Sequence, residues 1–235
     1  MLLYLVRHGD PDYTHDCLTE RGKRQAEALA PRLAASKIDV VYSSPYGRAR
    51  ETAEPTCRFL NKECHIEEWA HEVEDERLTT YPDGARISVT RIQNTLLREN
   101  GDIDVPFERT FETRALRETD MESAFGCIRD NGRDFLMRLG YLEENGVYRI
   151  LRPNEDRVAL FTHAVLTRTW LSHLLHIPLH IIWGSFSPTH TGVTVVEFQN
   201  NPNGLTAPKV LCFSDMSHLY AAGLDMTHDN HVEHL

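Results

Sequence analysis

Arg7, His8 and Gly9 directly follow an apolar run, residues 1–6, that predicts a buried strand. An arginine and a histidine placed where a strand runs into a glycine turn suit phosphoryl transfer through histidine. A ring nitrogen of His8 can attack phosphorus while the Arg7 guanidinium holds the phosphate oxygens. Gly9 lets the backbone approach the anion closely because it has no side chain. The tripeptide alone is weak evidence, so the interpretation depends on further segments.

Two later segments carry similar residue types just after predicted strands. Residues 42–53 (Tyr-Ser-Ser-Pro-Tyr-Gly-Arg-Ala-Arg-Glu-Thr-Ala) follow the apolar stretch 38–42, and residues 162–168 (Thr-His-Ala-Val-Leu-Thr-Arg) follow the stretch 157–161. In parallel sheets, ligands bind outside the carboxyl ends of the strands. The sequence therefore predicts that these segments meet residues 7–9 at one edge of a sheet.

The alternation of apolar stretches and amphipathic segments predicts an α/β fold, a three-layer sandwich with a mostly parallel central sheet and helices on both faces. Thr19 is expected to cap a helix that runs to about Ala35, and Pro55 to kink or break the next helix. Residues 73–120 are predicted to form a partly helical insertion, either a lid over the site or a solvated excursion. Further strands are expected at 157–162, 193–198 and 209–213, and further helices at 122–140 and 164–176.

Bulk properties narrow the function classes. The 235 residues, 41% of them hydrophobic, suit one domain over 1–235. The formal net charge of −10 disfavours binding to nucleic acid or anionic membranes, and no apolar run is long enough to span a bilayer. Five cysteines without a CxxC pattern indicate reduced thiols, so we expect a cytoplasmic protein. The sequence does not predict the oligomeric state.

Taken together, these motifs resemble the histidine phosphatase superfamily, also called phosphoglycerate-mutase-like. The family has Arg-His-Gly after its first strand, L-T-x-x-G-x-x-Q-A opening its first helix and S-S-P-x-x-R-A-x-x-T-A after its second strand; residues 7–9, 18–26 and 43–53 match these patterns. Residues 213–219 look like the family's C-terminal N-D-x-x-H-L. The matches run through most of the chain in the family's order.

The resemblance implies a role for each of the matching residues. His8 would be the nucleophile that forms a phosphohistidine, and Arg7 and Arg48 would clamp the phosphate. His163 would be the second catalytic histidine, donating a hydrogen bond to the transferring group. Ala164 stands where the family often has glycine, and its methyl group is expected to tighten the phosphate pocket slightly.

The same resemblance implies a glutamate after the third strand as proton donor to the leaving oxygen. Glu72 is best placed, two residues after Ala70 in an approximate L-x-E pattern. The other carboxylates nearby are expected to be solvated, namely Glu67, Glu68, Glu74 and Glu76.

Three residues are candidates for secondary phosphate contacts, with structural or peripheral roles as the alternative. Thr14 lies in the loop after the nucleophile, Ser43 opens the Ser-Ser-Pro motif, and His190 precedes a late strand.

Metal binding is the competing chemistry, because histidines recur at 228, 231 and 234. Without an HExxH or paired CxxC motif, a polar tail is the favoured interpretation and no metal is expected. The chain also lacks a Walker A and a GxGxxG motif, so no cofactor is expected.

The sequence therefore predicts a histidine acid-type phosphatase acting on a small-molecule phosphomonoester, with a phosphoprotein as another possible substrate. A cofactor-dependent phosphoglycerate mutase is the first alternative. Residues 10–15 lack the E-S-x-W-N stretch of such mutases, which favours hydrolysis. A non-catalytic regulatory protein on the same fold is the second alternative.

Overall fold

A six-stranded sheet lies at the centre of the protein in the computed structural model, which describes residues 1–73, 78–80, 86–88 and 94–226. The strands are β1 (Leu2–Arg7), β2 (Pro11–Asp12), β3 (Cys17–Leu18), β4 (Val40–Ser43), β5 (Cys64–Ile66), β6 (Leu78–Thr80), β7 (Arg86–Ser88), β8 (Tyr141–Glu144), β9 (Val147–Ile150), β10 (Arg157–Thr162), β11 (Val193–Glu197), β12 (Leu205–Thr206) and β13 (Lys209–Asp215). The α-helices are α1 (Glu20–Ala35), α2 (Gly47–Leu60), α3 (Asn94–Glu99), α4 (Met121–Arg138), α5 (Ala164–Leu175), α6 (Leu179–Ser185) and α7 (Ser217–Ala221).

The central sheet has the strand order β13-β11-β1-β10-β4-β5. The strands β1, β10, β4 and β5 run parallel to one another. The strand β11 is antiparallel to both of its neighbours, β1 and β13. The predicted mostly parallel sheet is therefore confirmed, with an antiparallel addition along one side.

The two faces of the sheet bury separate clusters of apolar side chains, because side chains alternate along a strand. Leu3 and Leu5 of β1 pack in a cluster with residues of α4, α5 and α6. Tyr4 and Val6 pack in a second cluster with residues of α1 and α2. Both faces of β1 are covered, which explains its continuous apolar sequence, and the predicted three-layer arrangement is confirmed.

The start of α1 is the one that the sequence predicts. The Thr19 hydroxyl accepts a hydrogen bond from the Gly22 N–H at 3.1 Å, and the helix ends at Ala35. Of the kink or break expected at Pro55, the break does not occur, because α2 continues through this residue. Proline removes a single N–H from the helix, and α2 retains its packing against α1.

The segment 73–120 combines a short hairpin with helical turns in its described part. The strands β6 and β7 pair antiparallel, and α3 is followed by two 3₁₀ segments, Asp102–Asp104 and Phe107–Glu112. Its partly helical character is confirmed, while its role as a lid stays a prediction. Among the described residues, no helix combines the length and apolarity needed to cross a membrane.

Candidate active site

The predicted site residues converge because three parallel strands end at the same edge of the sheet. Arg7 ends β1 and pairs with Thr162, which ends β10, and Ser43 at the end of β4 pairs with Phe161. His8 and His163 are the residues directly after β1 and β10, and their ring centroids are 5.2 Å apart. The strand ends thus bring the two predicted catalytic histidines together.

The imidazole of His8 is held so that one nitrogen stays available. The side chain is 2% exposed, and its Nδ1 lies 2.7 Å from the carbonyl oxygen of Gly9. A carbonyl can only accept, so Nδ1 carries the proton and the lone pair is on Nε2. Burial, together with the positive charges of Arg7 and Arg48, lowers the pKa of His8 to about 3. The ring is therefore neutral and nucleophilic near neutral pH.

Gly9 is needed for close packing of this strand end against α1. A Cβ on Gly9 would lie 2.9 Å from the carbonyl oxygen of Gly22. The Gly9 N–H donates to the Thr52 hydroxyl at 2.9 Å, and that hydroxyl donates to the Arg48 carbonyl at 2.7 Å. The nucleophile loop, α1 and α2 are thereby linked directly.

Both predicted arginines are held in place by contacts with neighbouring residues. Nη1 of Arg7 donates to the carbonyl of Pro188 at 2.7 Å. Arg48 is buried, pairs through Nη1 with Asp16, and has its guanidinium carbon 4.7 Å from the centre of the Tyr46 ring. The positive charges of both guanidinium groups contribute to the lowered pKa of His8.

Ser44, a residue that we did not select from the sequence, holds the second histidine. Its hydroxyl lies 2.8 Å from Nε2 of His163, which is fully buried. Burial, His8 and Arg48 lower the pKa of His163 well below its ordinary value. Within the described part of the chain, the buried Nδ1 of His163 and Nε of Arg48 have no hydrogen-bond partner. Buried polar atoms of this kind require a partner, and an anion would supply one.

Glu72 lies at the N-terminus of α5 and joins the site from there. Its Oε1 accepts from the N–H groups of Leu166 at 2.9 Å and Val73 at 3.0 Å, and its Oε2 accepts from Val165 at 3.2 Å. Burial raises the pKa of Glu72, although these donors act in the opposite direction. Because α5 begins directly after His163, the carboxyl group is fixed close to the second histidine.

The neighbouring glutamates are used differently. Glu67 is buried, not solvated as expected, because its carboxylate pairs with both terminal nitrogens of Arg138 at 2.9 and 2.8 Å and accepts from Trp69. Glu68 is exposed, as expected. The remaining two, Glu74 and Glu76, lie outside the described residues.

Of the residues expected to make secondary phosphate contacts, one lies beside His8 and the others bond to other partners. The ring of His190 is 5.6 Å from that of His8, and burial, Arg7 and His8 lower the pKa of His190 to about 2. Ser43 is buried and its hydroxyl donates to the carbonyl of Ser44. Thr14 is exposed in a turn where its N–H donates to Asp12. Ala164 is the first residue of α5.

No cluster of three or more histidine, cysteine or acidic side chains that could hold a metal ion occurs among the described residues. The three histidines of the C-terminal tail, at 228, 231 and 234, lie outside the described residues.

Comparisons with known proteins identify the family of the chain. A model of the histidine phosphatase superfamily (branch 1) matches residues 3–82. Phosphoserine phosphatase 1 of Hydrogenobacter thermophilus is 34% identical over 228 residues, which covers 89% of this chain and 92% of that protein.

Two solved structures share the fold at lower sequence identity. The phosphoserine phosphatase of Entamoeba histolytica in complex with 3-phosphoglyceric acid aligns with a TM-score of 0.60 and 20% identity, over 93% of this chain and 98% of that one. A mycobacterial glucosyl-3-phosphoglycerate phosphatase with VO3 aligns with a TM-score of 0.57 and 18% identity, over 91% and 98%. These structures show that the fold is shared, and the longer sequence match shows that the chain belongs to the histidine phosphatase superfamily.

Proposed function

We propose that the protein hydrolyses phosphomonoesters through a phosphohistidine formed on Nε2 of His8. The observation that carries the proposal is the buried neutral ring of His8, whose Nδ1 is occupied by a carbonyl and whose other nitrogen carries a lone pair. The charges of Arg7 and Arg48 act on this ring, and the ring of His163 lies 5.2 Å from it. This combination provides a nucleophile together with donors for the charge of a transferring phosphoryl group.

In the first step, Nε2 of His8 attacks phosphorus while the bond from phosphorus to the leaving oxygen breaks. Arg7 and Arg48 bind the non-bridging oxygens and stabilise their negative charge. Glu72 gives its proton to the leaving oxygen, so an alcohol departs instead of an alkoxide. The raised pKa of Glu72 suits this role, because more of the group is protonated near neutral pH.

In the second step, a water oxygen attacks the phosphorus of the phosphohistidine. Glu72 is now a carboxylate and takes the proton of that water. The bond between phosphorus and Nε2 breaks, inorganic phosphate leaves, and His8 and Glu72 return to their initial protonation states.

His163 would donate one hydrogen bond to the phosphoryl group in both steps. The Ser44 hydroxyl oxygen accepts from the Tyr46 N–H at 3.2 Å, which leaves its own hydrogen to donate to Nε2 of His163. The ring proton is then on Nδ1, the buried atom without a partner in the described chain. In this proposal Ser44 donates to Nε2 and so favours the tautomer that presents a donor to the phosphate.

The substrate that we propose is a small phosphomonoester that carries a carboxylate, of the type of phosphoserine or phosphoglycerate. The full-length relative is a phosphoserine phosphatase, and a protein of the same fold binds 3-phosphoglyceric acid. In this proposal Glu72, the two histidines and the two arginines all act on the phosphate group and the leaving oxygen. They therefore do not select among such substrates.

The test is phosphate release from a panel of phosphomonoesters in the presence of EDTA, with His8→Ala compared with His65→Ala. His65 lies exposed on β5, outside the site, and serves as the matched histidine control. We expect turnover in the wild type and the control, none in His8→Ala, and an acid-labile, base-stable phosphoenzyme only where His8 is present. Turnover in His8→Ala at the wild-type rate would overturn the mechanism, and 2,3-bisphosphoglycerate-stimulated mutase activity far above hydrolysis would overturn the choice of reaction.

The acid-type pH profile is a finer consequence of the same proposal. The first step needs protonated Glu72, so kcat/KM is expected to fall as the pH rises through the raised pKa of this group. Glu72→Gln keeps an oxygen that can accept from the α5 N–H groups but has no proton to transfer. We expect it to fold normally, to lose activity towards alkyl phosphates by about 100-fold, and to retain more activity towards p-nitrophenyl phosphate, whose leaving group needs little protonation. Equal losses for both substrates would contradict the proton-donor role.

A further inference from the structure

The turn formed by residues 188–192, which precedes β11, encloses the backbone of the nucleophile. The Thr191 N–H donates to the carbonyl oxygens of both Arg7 and His8, at 3.1 and 3.2 Å, and the Arg7 N–H donates to the Gly192 carbonyl at 3.3 Å. The carbonyl of Pro188 in the same turn accepts from the guanidinium of Arg7. The position of this turn therefore determines the backbone position from which the side chains of Arg7 and His8 extend.

Thr191 adopts a backbone conformation that is unfavourable for a threonine. Its φ is +56°, in the left-handed region, which β-branched residues strongly avoid. The residue is fully buried, so surrounding contacts must maintain this conformation. The N–H that bonds to Arg7 and His8 points towards them only while the conformation is kept.

The contact that maintains it comes from the imidazole of His218 in α7. Nε2 of His218 lies 2.9 Å from the Thr191 hydroxyl oxygen, and that hydroxyl donates to the carbonyl of His190 at 2.7 Å. Since the hydroxyl hydrogen is already used, Nε2 of His218 must be the donor. Burial and the charge of Arg32 lower the pKa of His218 to about 4, so the ring is neutral and keeps this single-proton form near neutral pH.

A second link ties the same turn to the end of β13. The Ser214 hydroxyl accepts from the Thr189 N–H at 2.7 Å, and a Cβ on Gly192 would lie 2.5 Å from that hydroxyl oxygen. The turn is therefore held from one side by residues 214–218 and holds Arg7 and His8 on the other.

We infer that His218 is a positioning residue for phosphoryl transfer: through the Thr191 hydroxyl it fixes the turn that places the Arg7 guanidinium and the His8 ring. The inference rests on the proposed function, because it concerns the same phosphoryl-transfer step. The hydrogen bond of His218 is to Thr191 and not to His8, so the proposed role is indirect. Its effect is on geometry, and a displacement of about 1 Å in such a site is enough to lower the rate about 100-fold.

The experiment compares His218→Ala and His218→Gln with His173→Ala. His173 is a histidine of similar burial that pairs with Glu143 away from the site, so its removal reports the general cost of deleting a buried imidazole. We expect His218→Ala to lower the single-turnover rate of His8 phosphorylation by about 10- to 100-fold, while its unfolding midpoint falls no further than that of His173→Ala. His218→Gln, whose amide N–H can replace Nε2–H, should recover most of the rate.

A readout independent of turnover separates this inference from the proposed function. Inorganic phosphate is the probe, and we expect His218→Ala and Thr191→Val to weaken its binding about 10-fold in calorimetry, with no further loss in the double variant because both remove the same link. Thr191→Ser keeps the hydroxyl and is the matched control, with wild-type affinity expected. Thr191→Val replaces His218→Ala as the informative variant if the latter does not fold. A His218→Ala protein, or failing that a Thr191→Val protein, that binds phosphate as the wild type does would overturn the inference. Absence of a phosphoenzyme in the wild type would instead overturn the proposed function.

Discussion

A methyl group added at Gly22 is predicted to displace the loop that follows His8, although Gly22 itself lies outside the candidate site. Gly22 is the third residue of α1, and a Cβ added there would lie 2.2 Å from the carbonyl oxygen of Asp10. Real Cβ atoms essentially never approach another heavy atom more closely than 3.0 Å. The obstacle is backbone and cannot rotate away, so the loop after His8 has to move by about 1 Å. Alanine in a helix would otherwise stabilise by about 0.5–1 kcal/mol, whereas overpacking of this kind costs about 1–3 kcal/mol.

The matched control for Gly22→Ala is Gly126→Ala in α4. A Cβ on Gly126 meets nothing closer than the end of the Arg129 side chain, at 3.9 Å. We expect Gly126→Ala to be stabilised by about 0.5–1 kcal/mol and fully active. Gly22→Ala should lose about 1–2 kcal/mol in urea unfolding and about 10- to 100-fold in kcat, because Asp10 lies two residues from the nucleophile. Equal stability and equal activity of the two variants would refute the reasoning.

Three further predictions concern other parts of the molecule. Ser44→Ala should leave His163 without its partner and lower kcat by about 10-fold or more, which corresponds to the roughly 1–3 kcal/mol of an unsatisfied buried group. Arg138→Met should leave the buried Glu67 carboxylate unpaired and reduce stability by about 1–3 kcal/mol, less than for a fully buried pair because Arg138 is half-exposed. The folded-state pKa of His218 is below its unfolded value of about 6.5, so the stability that it contributes is complete above pH 6.5 and is lost as the pH falls towards 4, by about 3 kcal/mol in urea titrations.

Each of these expectations has an outcome that contradicts it. Wild-type kcat in Ser44→Ala would mean that the tautomer of His163 is set elsewhere. An Arg138→Met protein with unchanged urea midpoint would mean that the Glu67 carboxylate is stabilised by Trp69 alone. A His218→Gln protein that loses stability between pH 6.5 and pH 4 as steeply as the wild type would assign that loss to other groups.

The sheet and its catalytic edge could be predicted because their signals are local. Apolar runs mark the strands, and the residues that follow them identify His8 and His163 without any knowledge of long-range contacts. The start of α1 was predictable for the same reason, since the capping hydroxyl of Thr19 bonds to the N–H of Gly22, only three residues later.

The choice between Ser43 and Ser44 could not be made from the sequence. Adjacent residues at a strand end point in different directions, and the one that meets His163 depends on where β4 stops. We predicted that this strand ends at residue 42. In the structure it ends at Ser43, so the residue just beyond the strand is Ser44. Errors of one residue at an element boundary are thus enough to transfer a functional role to the wrong side chain.

One sequence signal was not used, and the weight of another was overestimated. Asn145 and Gly146, both with positive φ, form the two-residue turn between β8 and β9, and an Asn-Gly pair between two apolar stretches is a strong hairpin signal. Pro55 was given too much weight, because a helix packed along its buried face tolerates the loss of a single hydrogen bond. His218 lies in the segment 213–219 that resembles the family's C-terminal motif, but its hydrogen bond with Thr191 could not be predicted because it is a tertiary contact.

The central place of β1 in the sheet has a consequence for how the chain is made. β1 is synthesised well before its two hydrogen-bonding neighbours, β10 and β11, which lie far later in the chain. This apolar strand therefore lacks its partners while the intervening residues are translated, and during that time it is open to aggregation. His8, the proposed nucleophile, acquires its surroundings only once residues 188–197 have emerged, so a nascent chain that stops short of them is expected to be inactive.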